Sequence, residues 1–323
     1  MRNSCFLWLL AAGCTVESSG PASVAFVSPA PASTHVRDQL SSAGALVASI
    51  GVELDLGGDI ARVTIAHGDI ELGDATGGQL AAELAATGAV TLTATAYDDA
   101  GTSLATAAVD IAIADPMVAD CKSWLDLYGL DYAVGPDKAG VADPITAQVP
   151  INGVSYRYSG NTDPRKTLYG DCTLMLSLAQ AAPILRRHGI VELVDIGVYN
   201  YRCIGGGTPP NCANGVSQHA YAKAIDIAGF TAGDGTEYSV LTDWVIDAGG
   251  MTCTAETEGG KDTFLHDVIC ELKNADVWNI VLTPNYNADH RNHFHVDLTA
   301  GSDFIKRTLG EPSAAVSVLD RFE

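Results

Sequence analysis

Between residues 24 and 114 the chain alternates short apolar, β-branched runs with turn-forming residues. Runs at 61–65, 90–97 and 104–113 are separated by small and polar residues, and Asp99-Ala100-Gly101 is placed to turn one strand into the next. A half-buried strand hides every second side chain, so this spacing predicts an antiparallel sandwich of about seven strands. Asp115 and Pro116 end the last of them. A helical segment follows, with Trp124, Leu127 and Tyr128 as a packing stripe, and then a loop rich in Gly, Pro and Asp that runs to about residue 149.

The pattern then changes. Residues 172–187 carry apolar side chains at helical spacing, with Gly189 where a helix terminator is expected. Residues 190–201 read as a strand, 222–228 alternate, 240–248 and 264–273 look helical, and 278–282 and 293–298 look like strands. Helices and strands in this order, without regular βαβ alternation, predict an α+β domain with an antiparallel sheet. The expected organisation is a β-sandwich over 22–115, a connector over 116–149 and the α+β domain over 150–312. The first of these resembles bacterial Ig-like domains in pattern, without the cysteines that staple an antibody domain. Its two histidines, His35 and His67, are read as packed or solvated rather than as a site.

The 323 residues are enough for two domains, and a chain with 47% apolar residues folds rather than remaining disordered. The formal charge of -21 repels phosphate backbones and anionic lipid headgroups, which removes nucleic acid as a partner class. An acidic substrate would have to be held by a few local cations. Residues 1–14 read as an export signal: Arg2, an apolar run over 5–12 too short to span a bilayer, then Gly13 and Cys14. Ala11-Ala12-Gly13-Cys14 resembles a lipobox with Leu10 one place too early. Lipid attachment through Cys14, in the periplasm or at the outer membrane, is therefore the first expectation and plain secretion the alternative. Either places the mature protein outside the cytoplasm. There the six remaining cysteines, Cys121, Cys172, Cys203, Cys212, Cys253 and Cys270, predict up to three disulfides rather than a thiolate site. Cys203 with Cys212 is the favoured pair, because the Gly and Pro residues between them let a short loop fold back.

Two clusters carry side chains suited to chemistry. In the first, His219 precedes Asp226 by seven residues, and Ala222, Ala224 and Asp226 share one face of the predicted strand. Small neighbours leave room beside the carboxylate for a metal and for the turn that bears His219. In the second, His293, His295 and Asp297 project to one face while Phe294 and Val296 project to the core. Imidazoles about 7 Å apart on one strand face can serve one ion and its bound substrate together. Catalytic zinc commonly takes three ligands from His, Asp and Glu and keeps a fourth position for water. Ser217, Asp289 and Asp297 are read as cap, turn or supporting groups. Ser217 has no base and orienting acid of its own to make it a nucleophile.

His219 with Asp226, and His293-Phe294-His295, resemble the His-x6-Asp and His-x-His signatures of LAS peptidases, the lysostaphin-type and D-Ala-D-Ala metallopeptidases. More closely, residues 169–298 resemble the extensin-like C-terminal family, with its Ser-x-His-Ala-x-Ala-x-Ala-x-Asp-Ile motif at 217–227 and its Pro-x-Tyr-Asn-x-x-His segment at 284–290. The resemblance implies that His219, Asp226 and His295 ligate Zn2+ and that His293 lies beside the metal to polarise or bind the scissile carbonyl. It makes His290 the candidate general base or water-orienting group. Arg202, at the end of Tyr199-Asn200-Tyr201-Arg202, matches an arginine that holds a substrate carboxylate, a task its planar fork suits. Two departures stand out: Tyr201 occupies the place where the family usually has cysteine, and the Glu-x-x-His element that supplies the base in D-Ala-D-Ala dipeptidases is missing.

The resulting expectation is an α+β LAS-type peptidase domain behind an Ig-like sandwich, in a bacterial envelope protein that hydrolyses amide bonds of peptidoglycan peptides in the manner of a D,D-carboxypeptidase or endopeptidase. The alternative is a wall-binding protein that keeps the metal site without cleaving. A structural zinc protein would need a fourth protein ligand and a closed site.

Overall fold

Strand Leu46–Gly57 buries Ala48, Ile50, Val52 and Leu54 and exposes the residues between them. It pairs antiparallel with Ser23–Ser28 and Gln79–Leu84. Its buried face shares one core with Val90, Leu92, Ala94 and Ala96 of Gly88–Tyr97. That strand belongs to a five-stranded sheet with Arg62–His67, Ile70–Asp74, Ser103–Ala114 and Thr34–Val36. The turn expected at 99–101 is present: the Asp98 carboxylate accepts from the N–H groups of Ala100 and Thr102, and Gly101 takes φ 79°. Strand Thr34–Val36 runs parallel to Ser103–Ala114, so this sandwich is not purely antiparallel. His35 and His67 are engaged locally, with the Ser33 hydroxyl and the Thr91 carbonyl.

This computed structural model describes residues 20–247, 252–254 and 256–305, and the backbone of 308–309. The export signal and lipobox expected at 1–14, Cys14 included, lie outside the described residues. Of these, residues 20–37 and 47–115 form the unit above; 38–46 and the described residues from Pro116 onward form a second. The loop-rich segment 116–149 is thus part of the second unit and contributes helix α1 (Cys121–Leu127) and two strands to it.

The centre of the second unit is helix α2 (Cys172–Arg187). Asp171 caps it by accepting from the Thr173 N–H and hydroxyl, and Gly189 at φ 76° lets the chain leave it. Leu174, Met175, Leu176, Leu178, Ala179 and Leu185 on it are fully buried. Each such leucine stabilises the fold by about 1.5–3 kcal/mol. Three strands, Tyr132–Val134, Pro144–Gln148 and Thr167–Asp171, form an antiparallel sheet. A larger sheet has the order Ser155–Tyr158, Ile190–Gly197, Ala224–Ala232, Phe294–Asp297, Ile280–Leu282, Phe304–Ile305 and Thr308–Leu309, with Glu237–Ser239 beside Ala224–Ala232.

The expected fold class is corrected by this arrangement. The described residues are mostly β-sheet with 17% helix, and they do not present the α+β LAS-type peptidase domain with an antiparallel sheet behind an Ig-like sandwich. The large sheet is mixed, because Ser155–Tyr158 pairs parallel with Ile190–Gly197 and Ile280–Leu282 parallel with Phe304–Ile305. A parallel pair needs a long crossover, and the strand and helix spanning 167–187 supply it for the first of these. Alternation of apolar residues marks a strand but carries no direction. The helix expected over 240–248 is one turn, α3 (Val240–Asp243), after which Trp244 is extended. Trp244 is buried, stacked on His266 at 3.9 Å and edge-on to Phe294 at 5.1 Å. Side chains replace helical acceptors here: Asp262 takes the Val245 N–H and Asn285 the Asp247 N–H. Helix α4 (Gly260–Asn274) covers the helical stretch expected at 264–273.

Among the described residues three disulfides join Cys121 to Cys172, Cys203 to Cys212 and Cys253 to Cys270. The expected Cys203–Cys212 pair is among them. The first bond closes a separation of 51 residues and ties α1 to the start of α2. On loop-closure entropy it stabilises the unit by about 4 kcal/mol. Replacing Cys121 and Cys172 together by Ser should therefore lower the urea unfolding free energy by about that amount. Apart from Trp8, the tryptophans (Trp124, Trp244 and Trp278) all lie in the second unit, so fluorescence reports on it. A loss below about 1 kcal/mol would show that the bond adds little to this fold.

Candidate metal centre

His219 is carried on a tight helical turn, Gln218–Tyr221, between two extended segments. The Ser217 hydroxyl caps the turn by accepting the His219 N–H at 3.4 Å. Ala222 ends it at φ 53°, and its N–H returns to the His219 carbonyl at 3.2 Å. Ala220, Ala222 and Ala224 are fully buried, so the turn lies close against the strand that follows. That strand, Ala224–Ala232, places Asp226 opposite His295 of Phe294–Asp297 in antiparallel register. Two segments about seventy residues apart are thus brought together by backbone pairing, and the short turn delivers the third group.

The three side chains converge. Asp226 Oδ1 lies 2.9 Å from His295 Nδ1 and 3.1 Å from His219 Nε2, and the two nitrogens are 3.2 Å apart. The outer nitrogen of each imidazole is already engaged. His219 Nδ1 is 2.7 Å from the Val198 carbonyl, and His295 Nε2 is 2.9 Å from the Asp297 carboxylate. Both partners only accept, so both outer nitrogens carry the proton and neutral rings turn lone pairs inward. Asp297 is itself held by the N–H and hydroxyl of Thr299. Outer partners of this kind fix tautomer and ring orientation at metal sites.

Three lone pairs facing one point call for positive charge. A proton on His295 meets that demand: burial opposes its charge, but Asp226 and Asp297 outweigh it and hold the imidazole up at about 9. Burial would likewise raise Asp226, yet His219 and His295 keep it far below the usual carboxylate range. A divalent ion meets the demand more fully, and His219, Asp226 and His295 each offer one ligand atom within 4.8 Å of the others. The donor chemistry, two imidazole nitrogens and one carboxylate, fits zinc.

The remaining predicted residues surround this cluster. His293 Nε2 is 3.5 Å from Asp226 Oδ1, while its Nδ1 meets Asn292 at 2.9 Å. Burial, with the nearby His295, His219 and Arg202, keeps His293 below its ordinary range despite Asp226. His290 stands on a turn, Ala288–His290, capped by Asn287. Asn287 accepts from the His290 N–H and faces its Nδ1 at 2.7 Å, leaving Nε2 free to accept. The His290 ring is 5.1 Å from that of His293 and 5.8 Å from that of His295. Burial and then these two imidazoles push it down to about 4, so it is neutral at pH 7. Arg202 follows the Tyr199–Tyr201 stretch, is half-buried, and its charge is felt at His293. Ser217 caps, and Asp297 orients His295.

The Val198 carbonyl was not foreseen, since a backbone acceptor leaves no mark in residue type. Asn285 and Asn287 lie in the Pro-x-Tyr-Asn segment, whose residue pattern carries no sign of what they hold. Asn285 holds the Trp244 indole N–H and the 247 backbone, and Asn287 shapes the turn under His290.

No curated protein matches the chain. Among solved structures it is similar to fibronectin(III)-like modules of Clostridium thermocellum CbhA, at 16% identity and TM-score 0.23, over 30% of this chain and 99% of that one. Bacteroides uniformis beta-glucuronidase 3 is similar at 10% identity and TM-score 0.23, over 40% of this chain and 15% of that one. Bacteroides ovatus SGBP-B, solved with a mixed-linkage heptasaccharide, is similar at 11% identity and TM-score 0.22, over 70% and 49% of the two chains. Residues 171–305, which contain His219, Asp226, His290, His293 and His295, match the family described as Extensin-like protein C-terminus.

Proposed function

We propose that this protein is a zinc-dependent hydrolase of the bacterial cell envelope that cleaves amide bonds in peptidoglycan peptides, in the manner of a D,D-carboxypeptidase or endopeptidase. The observation that carries this reading is the convergence of His219 Nε2, His295 Nδ1 and Asp226 Oδ1 while both outer imidazole nitrogens are engaged elsewhere. The motif likeness to LAS peptidases, His-x6-Asp followed by His-x-His, supports the substrate class. Export, with lipid attachment at Cys14, belongs to the same proposal.

His219, Asp226 and His295 would hold the ion, which when bound supplies an acidified water and a Lewis acid for the scissile carbonyl. The chain's own residues set the rest. His293, beside Asp226, is placed to bind the carbonyl oxygen and to stabilise charge developing on it, a task that takes the tautomer protonated at Nε2, with the Asn292 amide turned to donate to Nδ1. His290, with Nδ1 tied to Asn287 and Nε2 free, is placed to accept a proton from the attacking water. Arg202 supplies the local cation that a carboxylate-bearing peptide needs on a protein of charge -21.

Metal analysis of the purified protein should give one zinc per chain, and incubation with purified muropeptides should release fragments detectable by mass spectrometry. Zinc without cleavage would turn the reading to a wall-binding protein that retains the metal; no zinc would remove the mechanism. His295→Ala should abolish zinc retention and cleavage together, and full occupancy in that variant would take His295 out of the ligand set. Asp297→Ala frees the His295 ring without removing a ligand. It should weaken zinc affinity about 10–100-fold, measured by competition with a chelating indicator. Unchanged affinity would mean that His295 is oriented by something other than Asp297.

A further inference from the structure

The loop 135–141 lies outside the matched segment and is held by two tyrosine hydroxyls. Tyr169 donates to the Pro136 carbonyl at 3.1 Å, and Tyr199 to the Ala139 carbonyl at 3.0 Å. The two rings meet edge to face at 6.0 Å, and the Lys138 ammonium sits over both, 3.9 Å from one centroid and 4.8 Å from the other. The loop is closed at its base by the Gly135 N–H on the Pro144 carbonyl, and Asp143 just beyond it bonds to the α2 cap through Asp171. Its tip is Gly140, at φ 86°. A Cβ on Gly140 would stand 2.4 Å from the Ala220 carbonyl oxygen, so the loop backbone presses on the turn that carries His219. The same tyrosine joins both sides of that contact. Tyr199 lies between Val198, whose carbonyl fixes the His219 ring, and Asn200, whose N–H takes the His219 carbonyl at 3.0 Å.

We infer that loop 135–141, clamped by Tyr169, Tyr199 and Lys138 and seated through Gly140 on the Ala220 carbonyl, is a positioning element that sets His219 for metal binding. This rests on the metal-site reading above. A four-residue turn has little hold on its own orientation, and the ligand nitrogen lies at the far end of a side chain from it. Backbone pairing fixes Asp226 and His295; the turn that carries His219 is held by Asn200 on one side, and the seat of Gly140 on the Ala220 carbonyl adds a second hold from the loop. Only glycine allows the approach, because both the positive φ and the space at Ala220 exclude a Cβ.

The test compares three variants of the full protein with the parent. Gly140→Ala forces the loop off Ala220. Tyr169→Phe with Tyr199→Phe removes both hydroxyl tethers while keeping the rings. Gly235→Ala is the control, since Gly235 has the same φ of 86° but nothing within 4 Å of an added Cβ. Zinc affinity by indicator competition, the visible spectrum of the cobalt(II)-loaded protein and the urea midpoint of the metal-free protein are read for each. Gly140→Ala and the double phenylalanine variant should weaken zinc binding about 10–100-fold and alter the cobalt band. Gly235→Ala should leave both unchanged. Parental affinity and spectrum in the first two variants would overturn the inference while leaving the metal site standing. Equal loss in Gly235→Ala would also overturn it, by showing a general effect of backbone strain. A parent that binds neither metal would overturn the metal-site reading, and the inference with it.

Discussion

Everything around the candidate site depends on forcing three electron-rich atoms to face one point. Water would ordinarily separate a carboxylate and two imidazoles, and bringing them together in a largely buried place is costly unless positive charge sits among them. The protein removes the easy escape. Neither ring can flip to turn a protonated nitrogen inward without giving up the Val198 carbonyl or the Asp297 carboxylate. The conflict is therefore resolved by a cation at the centre, whether a proton on His295 or a metal ion.

The surrounding architecture can be understood as the means of holding that arrangement. Asp226 and His295 are fixed by sheet register, the least adjustable relation available to a chain, because a one-residue slip would turn both side chains to the opposite face. Val296 and Phe294 flank His295 and are fully buried, so such a slip would also expose the core. His219 is delivered by a turn instead. The rows of alanine beside it and the glycine pressing on it from loop 135–141 allow backbones to approach where side chains would hold them apart. In Pro284–His290 two asparagines do work that strands cannot, Asn285 holding the Asp247 backbone and Asn287 the turn under His290.

How much of this could be read from the chain follows from what each signal encodes. Alternation located the runs near 61–65, 90–97 and 104–113, since a strand with one buried face imprints its period on residue type. It could not reveal that Thr34–Val36 or Ser155–Tyr158 pairs parallel, because direction lies in the connection and not in the alternation. Helical spacing found 172–187 and failed at 240–248, where Trp244 leaves the helix to fill a space between His266 and Phe294 that only tertiary packing creates. The side chains of the cluster were visible as two motifs, and their meeting is a matter of sheet register. The Val198 carbonyl and the seat at Gly140 were invisible: one is backbone, the other a missing atom.

The extent of the family match and the extent of the structure that supports the site are also different things. The match begins at residue 171, yet Cys172 is bonded to Cys121, and Ile190–Gly197 takes an edge strand from Ser155–Tyr158. Asp195 in that strand is wholly buried and is gripped by both arms of Arg165. Burial raises its carboxyl more than Arg165 lowers it, the mark of a group that depends on its partner. Removing that partner from a buried ion pair costs about 3–5 kcal/mol, a large part of a domain's net stability. Ile190–Gly197 pairs directly with the strand bearing Asp226, so the cost would fall beside the cluster. The segment that carries the recognisable chemistry is therefore not self-sufficient in this chain. The residues before it, from α1 through Tyr169, are part of what holds the site together.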